Sequence, residues 1–509
     1  MFPTKHTSEV SRRAIAVIGA AVLSATIAAV SAASNSQAAS SGAATEGQVG
    51  GVPSLLQIPV NFSLADLFQR CETMLPKEID ESGAYIDAGK DTIGTLGIKY
   101  KVWRDPLKLS MDRNKLNLDA HVYYWIEAAQ IIHKPKPLKG DVVQKLGSCG
   151  EGEPPRQAEI GLTTEIALGS DWNLVPKTTV RQVTLLDKCS MTFLNLDQTN
   201  KIKKRLSEKL LQAAAVIDKR IGRLNLRSRV EAAWDQLQKP IVVDPAGKYL
   251  SITPIDISVS PLNGRGDTVQ ATVTVKAFIT FVWESVPQRE AAQTKPLPQL
   301  KQFAQAGNGT HIVLNAVFPF DVASEQLSKM LIGHKYSYSG NNVEVTGASI
   351  HRSPGGVEIA LNVTGFLKGI VYLRGKPVFD QTTNMISLEN LDFAVDSTDS
   401  VTKSFAAAVA GSPGFRARLA SQARWSLGKQ IDEGKAQLSR TLNRTEGDIK
   451  MTGVISGFTV RGIEATPAGT KLPGFPYGGL DKDSFVVELT IDVTVQIESE
   501  KHEGAPGAA

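Results

Sequence analysis

Cysteine and histidine are scarce in this sequence, with three and seven in 509 residues. No CxxC or HExxH spacing occurs, which argues against zinc and iron–sulfur chemistry and leaves no metal or cofactor expected. The net charge is +5, from 56 basic and 51 acidic residues. That excess is too small over this length to mark a nucleic-acid binder, so no nucleic-acid partner is expected. Catalytic motifs are also missing. There is no G-x-S-x-G, no Walker A loop and no G-x-G-x-x-G between a strand and a helix. Ser400 to Lys403 fits S-x-x-K, but no S-D-N or K-T-G box follows. His121, His311 and His351 sit on or beside strand patterns without an acidic or cysteine neighbour at ligand spacing. The pairs Asp80-Glu81 and Asp432-Glu433 read as solvated faces, and Arg265-Gly266-Asp267 as a turn. The chain is therefore not expected to be an enzyme. What is present is ordinary globular composition, 42% apolar and 21% charged, long enough to fold without a metal or disulfide.

The N-terminus reads as an export signal. Lys5, Arg12 and Arg13 precede the uncharged run 14–30, and Val30-Ser31-Ala32 and Ser36-Gln37-Ala38 offer small-residue cleavage patterns. The alternative is an uncleaved anchor, but the run is short and dominated by alanine. The twin arginines leave the export route open. Residues 1–32 are read as signal peptide, 33–52 as a flexible linker and 501–509 as a disordered tail, giving a periplasmic or secreted protein. An oxidising compartment favours a disulfide. Three cysteines allow three pairings. Cys149–Cys189 is the expected one, with Cys71 buried and free.

Between these ends the pattern suggests a duplicated unit, 53–305 and 306–500. Phe62 to Leu75 parallels Phe318 to Leu331, and Tyr100 to Arg104 parallels Ala348 to Arg352. Long alternating runs follow. Leu116, Leu118, Ala120, Val122 and Tyr124 form one, and Val269 through Trp283 form another. Such alternation predicts antiparallel strands with one apolar and one wet face. Two amphipathic helices, 200–237 and 400–443, supply the expected cover. The first carries Ile202, Leu206, Leu210, Ile217 and Ile221 at spacings of three and four, with Ala213, Ala214 and Ala215 keeping helix and sheet apart. The predicted fold class is α+β, with two repeated units of long twisted antiparallel strands, each packed on one long helix.

Residues 58–64 (IPVNFSL), 97–104 (GIKYKVWR), 233–237 (AWDQL), 250–254 (LSITP) and 369–377 (GIVYLRGKP) through Asp380 resemble an exported bacterial family of about this length and of unknown function. In layout that family resembles the tubular lipid-binding (TULIP, BPI-like) proteins, in which a curved sheet around a long helix leaves an apolar tube. Alternation alone does not separate such a tube from a packed core. The resemblance implies non-catalytic binding of a lipid or other hydrophobic ligand. The candidate lining residues are Leu116, Leu118, Val122, Leu206, Leu210, Ile217, Val273 and Val275. A structural or polysaccharide-binding envelope protein is the alternative. An anionic membrane surface is a further expected partner. Residues 200–236 hold ten basic and four acidic side chains, and residues 400–444 hold eight and two.

Overall fold

Long strands dominate the computed structural model. It describes residues 51–90, 94–132, 140–192, 197–223, 226–242, 248–288, 294–302, 309–333, 335–338, 341–400, 402–404, 424–426, 432, 435–436, 439, 443–446 and 449–499. The stretches expected to be signal peptide (1–32) and C-terminal tail (501–509), and most of the expected linker (33–52), lie outside these. The chain forms two compact units. The smaller holds residues 61–227 and 260–271, and the larger holds the rest. Both are discontinuous in sequence, whereas 53–305 and 306–500 are continuous stretches.

In the larger unit, strands Tyr249–Val259, Thr268–Val282, Gly309–Pro319, Ile449–Thr466 and Ser484–Ser499 carry the ladder. Their ladders with one another are antiparallel except the parallel one between Thr268–Val282 and Gly309–Pro319, and Tyr249–Val259 also pairs in parallel with Lys301–Gln302. The register lines up alternate apolar residues across the strands: Leu250 faces Phe281, Ile252 faces Ile279, Ile279 faces Leu314, and Leu314 faces Leu489. These residues, with Ile491 and Val493, form one buried cluster that Phe379 joins from a separate six-stranded sheet. That second sheet is an antiparallel meander from Lys335–Tyr338 to Arg424–Ser426.

Four helices have defined bounds: α1 (Ala65–Met74), α2 (Thr199–Gly222), α3 (Leu226–Leu237) and α4 (Phe320–Leu331). Helix α4 lies along strand Asn341–Ser353. Its Ser324 accepts from the Ile350 amide at 2.8 Å, and its Ser328 accepts from the Ala348 amide at 3.1 Å. One helical turn rises about 6 Å over four residues, close to the rise of two strand residues. Hydroxyls at i and i+4 thus satisfy alternate amides of a strand edge.

The α+β expectation of one long helix covering each of two repeated units is overturned: the described residues are mostly strand, with α2 as the one long helix among them. Inside the predicted helix 400–443, Arg424–Ser426 is a strand that pairs with Met385–Asp396, Trp425 opposite Ile386. Its other stripe residues, Phe405, Val409, Leu419, Leu427, Ile431 and Leu438, lie outside the described residues. The predicted helix 200–237 ends first at Gly222, with Arg223 as its cap, and resumes at Leu226. Beyond that break Trp234 is 2% exposed and donates from Nε1 to the Lys295 carbonyl at 2.8 Å. Alternation specified one apolar face per strand correctly. It carried no information on whether a helix or other strands would cover that face, and in the larger unit strands do.

Candidate functional site

The smaller unit is built on the 18-residue strand Lys115–Ile132. Across the unit the main strands run in the order Glu78–Lys90, Thr95–Arg104, Lys115–Ile132, Arg156–Leu168, Leu174–Leu185. Residues paired across an antiparallel ladder share a face. Leu116 faces Thr164, Leu118 faces Leu162, Ala120 faces Ile160, and Val122 faces Ala158. On the other side Val102 faces Tyr124 and Ile98 faces Ala128, while Ile79 and Ile86 face Val102 and Ile98 in turn. On the fifth strand Val180 and Val183 face Leu162 and Ile160, so one sheet face is largely aliphatic, with Tyr100 and Thr164 among its members.

That face is only partly covered. Leu116, Leu118 and Val122 are half-buried, and Ile79 and Ile86 are 45% and 38% exposed. The ladder of the larger unit contrasts sharply, with Leu250, Ile252, Ile279 and Leu314 fully buried.

Helix α2 closes the unit. It lies along the edge strand Leu174–Leu185, where Asp218 accepts from the amide and hydroxyl of Thr178 at 2.9 and 2.6 Å. Thr178 in turn shares a hydrogen bond with Thr164 on the aliphatic face. Arg205 donates to the Ala88 carbonyl of Glu78–Lys90, the outermost strand at the other edge, at 2.9 Å. Five strands about 4.8 Å apart would hold flat edges near 19 Å from each other. Arg205 and Asp218 lie about 20 Å apart along the helix axis at 1.5 Å per residue, so one helix reaches both edges. At 100° per residue, only Ala214 of the three alanines is turned to the sheet. It is 3% exposed, while Ala213 and Ala215 are exposed. The expected spacer role falls to Ala214 alone.

Of the candidate lining residues, Leu206, Leu210 and Ile217 are half-buried on α2, in the same unit as the strand residues Leu116, Leu118 and Val122. Val273 and Val275 belong to the core cluster of the larger unit, Val275 only 4% exposed.

One end of the aliphatic face is sealed. Tyr124, Cys149, Ala158 and Cys189 form a buried cluster with Ile202 at the start of α2. Cys149 and Cys189 are joined by a disulfide, their α-carbons 5.5 Å apart. Cys149 ends a strand, Val142–Cys149. Cys71 is free as expected but half-buried on α1, with its thiol pKa raised by burial. In the cluster, Tyr124 Oη and the neighbouring Arg156 Nε are buried without a hydrogen-bond partner among the described residues. They are the polar end of an otherwise aliphatic surface.

The opposite sheet face is polar. Trp103 and Tyr123 stack across strands at 5.9 Å, and His121 meets Tyr123 edge-on and shares a hydrogen bond with Gln157. On the same face Glu127 is buried and receives Tyr85 Oη and Lys145 Nζ, the latter at 2.5 Å. Burial pushes the Glu127 carboxyl up, but the hydrogen bonds from Lys145 and Tyr85 outweigh it and hold the pKa down at about 2. Burial, aided by Glu127, pushes the Tyr85 phenol up to about 12. A carboxyl depressed on folding stabilises above its unfolded pKa of about 4.3 and loses that contribution as pH falls toward its folded value. Urea midpoints should therefore drop between about pH 4 and pH 2 in the wild type and less in Glu127→Gln. Equal slopes in both proteins would remove Glu127 from the account.

Among the described residues no group of three or more His, Cys, Asp or Glu is placed to hold a metal, and no helix is long and apolar enough to cross a membrane. His311 bonds Asp492 across adjacent strands at 2.6 Å, a pairing hidden in sequence by 181 positions. Ser456 nearby donates to the Asp492 carbonyl. His351 contacts Ser349.

Residues 52–472 match a family described as "Domain of unknown function (DUF4403)". No curated protein matches. Among solved structures, the crystal structure of P47 of Clostridium botulinum E1 is similar, 11% identical over 86% of this chain and 98% of that one, with a TM-score of 0.18. A TM-score that low carries no argument, so the tubular lipid-binding resemblance stands on sequence layout alone.

Proposed function

We propose, from the premise that the chain belongs to the DUF4403 family of unknown function, that its smaller unit binds an amphiphile without catalysis. The observation that carries this is the incompletely buried apolar surface of the unit, Leu116, Leu118 and Val122 on the sheet and Leu206, Leu210 and Ile217 on α2, whose side chains reach both sheet edges. Hydrocarbon laid along such a face gains about 0.8 kcal/mol per buried CH₂ and needs no charged anchor. Tyr124 and Arg156 at the sealed end supply donors for one polar group. The disulfide fits an extracellular or periplasmic protein, where lipid is the abundant apolar ligand.

Native mass spectrometry of the purified protein should show co-purifying lipid. Leu118→Asp with Leu210→Asp should reduce uptake of a fluorescent fatty acid by about tenfold or more, since each places a charge against hydrocarbon. Lipid-free protein with no saturable uptake would defeat the reading. A polysaccharide-binding role is the second reading, favoured by the stacked Trp103 and Tyr123 on the polar face.

A further inference from the structure

The geometry points to the outward side of α2 as a surface that docks on an anionic lipid bilayer. Helix α2 spans Thr199–Gly222 and carries seven basic residues against two acidic ones. One of the two, Asp218, is turned inward onto Thr178. Lys201, Lys204, Lys209 and Lys219 are exposed on the outward side, where Glu208 is the acidic neighbour. A solvated basic face needs nothing more. This one also presents Leu211 and Val216, 60% and 51% exposed, on its flanks. Lysines interleaved with outward aliphatics are the chemistry of a helix that lies in a bilayer interface, charges on lipid phosphates and methyl groups in the acyl boundary.

The helix is also held in place for this. Arg205 ties its first half to Ala88, Asp218 ties its second half to Thr178, and Cys189 is bridged ten residues before Thr199. A face fixed in advance loses little freedom on docking. Geometry singles out α2, because the other basic segment, 400–444, contains the strand Arg424–Ser426 inside the helix expected over 400–443. The inward apolar face plays no part in this surface, so docking and ligand binding can fail separately.

The test is co-sedimentation of the full mature chain with vesicles of phosphatidylcholine alone or with about a third phosphatidylglycerol. Binding should require the anionic lipid and fall steeply with salt, whose screening length is about 10 Å at 0.1 M. Reversing four charges in K201E/K204E/K209E/K219E should weaken binding by at least about tenfold, each lysine contributing near the surface. The four-fold Lys→Gln variant should give a smaller loss and serves where the reversed protein misfolds. Leu211→Ser with Val216→Ser should weaken binding several-fold while leaving its salt dependence unchanged. Co-purified lipid should be the same in all of these. Equal binding to both vesicle types, binding to neither, or full binding by the charge-reversed protein overturns the docking proposal. Loss of co-purified lipid with docking intact overturns only the ligand reading.

Discussion

Phe281→Ala should lower the unfolding free energy of the larger unit by about 3–5 kcal/mol, whereas Leu118→Ala should lower that of the smaller unit by only about 1 kcal/mol. Phe281 is 1% exposed and packed among Leu250, Ala316 and their neighbours, so truncation leaves a cavity in a dense core. Leu118 already borders accessible space on the aliphatic face, and its removal creates little new void. The two substitutions therefore compare a filled interior with an open one inside a single chain. Chemical denaturation, read by probes in each unit, measures both. A loss at Leu118 as large as that at Phe281 would mean the aliphatic face is packed, and the ligand reading would fall with it.

Cys149→Ala with Cys189→Ala is the second large effect. The bridge closes a loop of 40 residues, which in the chain-entropy account corresponds to about 4 kcal/mol. Its loss should be confined to the smaller unit. There the bridge also fixes the start of α2 against Tyr124, so hydrogen exchange should rise along Thr199–Gly222 while Tyr249–Val259 stays protected. A change below about 1 kcal/mol would show that the sealed end holds without the covalent link.

Much of the strand content was legible. The run from Leu116 to Tyr124 lies on one face of Lys115–Ile132, and Val269 to Val282 lies within Thr268–Val282, because period-two alternation is a local property of the chain. The bridging of Cys149 and Cys189 followed from the compartment read at the N-terminus. Coverage was not legible. Whether Val273 and Val275 line a tube or join a core depends on which strand lies beside them, and Gly309–Pro319 is set there by tertiary pairing. The break after Gly222 was hidden because the apolar stripe continues through it to Trp234, though the two segments pack on different partners. His311 and Asp492 meet only because their strands pair.

The strand Gly309–Pro319 has one further consequence, for the order in which the chain assembles as it is made. Its parallel partner Thr268–Val282 and the antiparallel Ser54–Ser63, which meets it at Leu55 opposite His311, both precede it, but its long antiparallel partner is Ser484–Ser499, with Ile312 opposite Ile491. Closing that ladder spans well over a hundred residues, and long-range pairing of this kind is intrinsically slow. Until Ser484–Ser499 has emerged, Leu314 and Ala316 lack their outer neighbours and the strand presents a bare edge. The smaller unit draws almost all of its residues from 61–227 and faces no such wait. Synthesis from the N-terminus therefore favours a folded smaller unit first. The larger unit then depends on its last strand to complete its central sheet, and a chaperone acting on this protein has most to shield between those two moments.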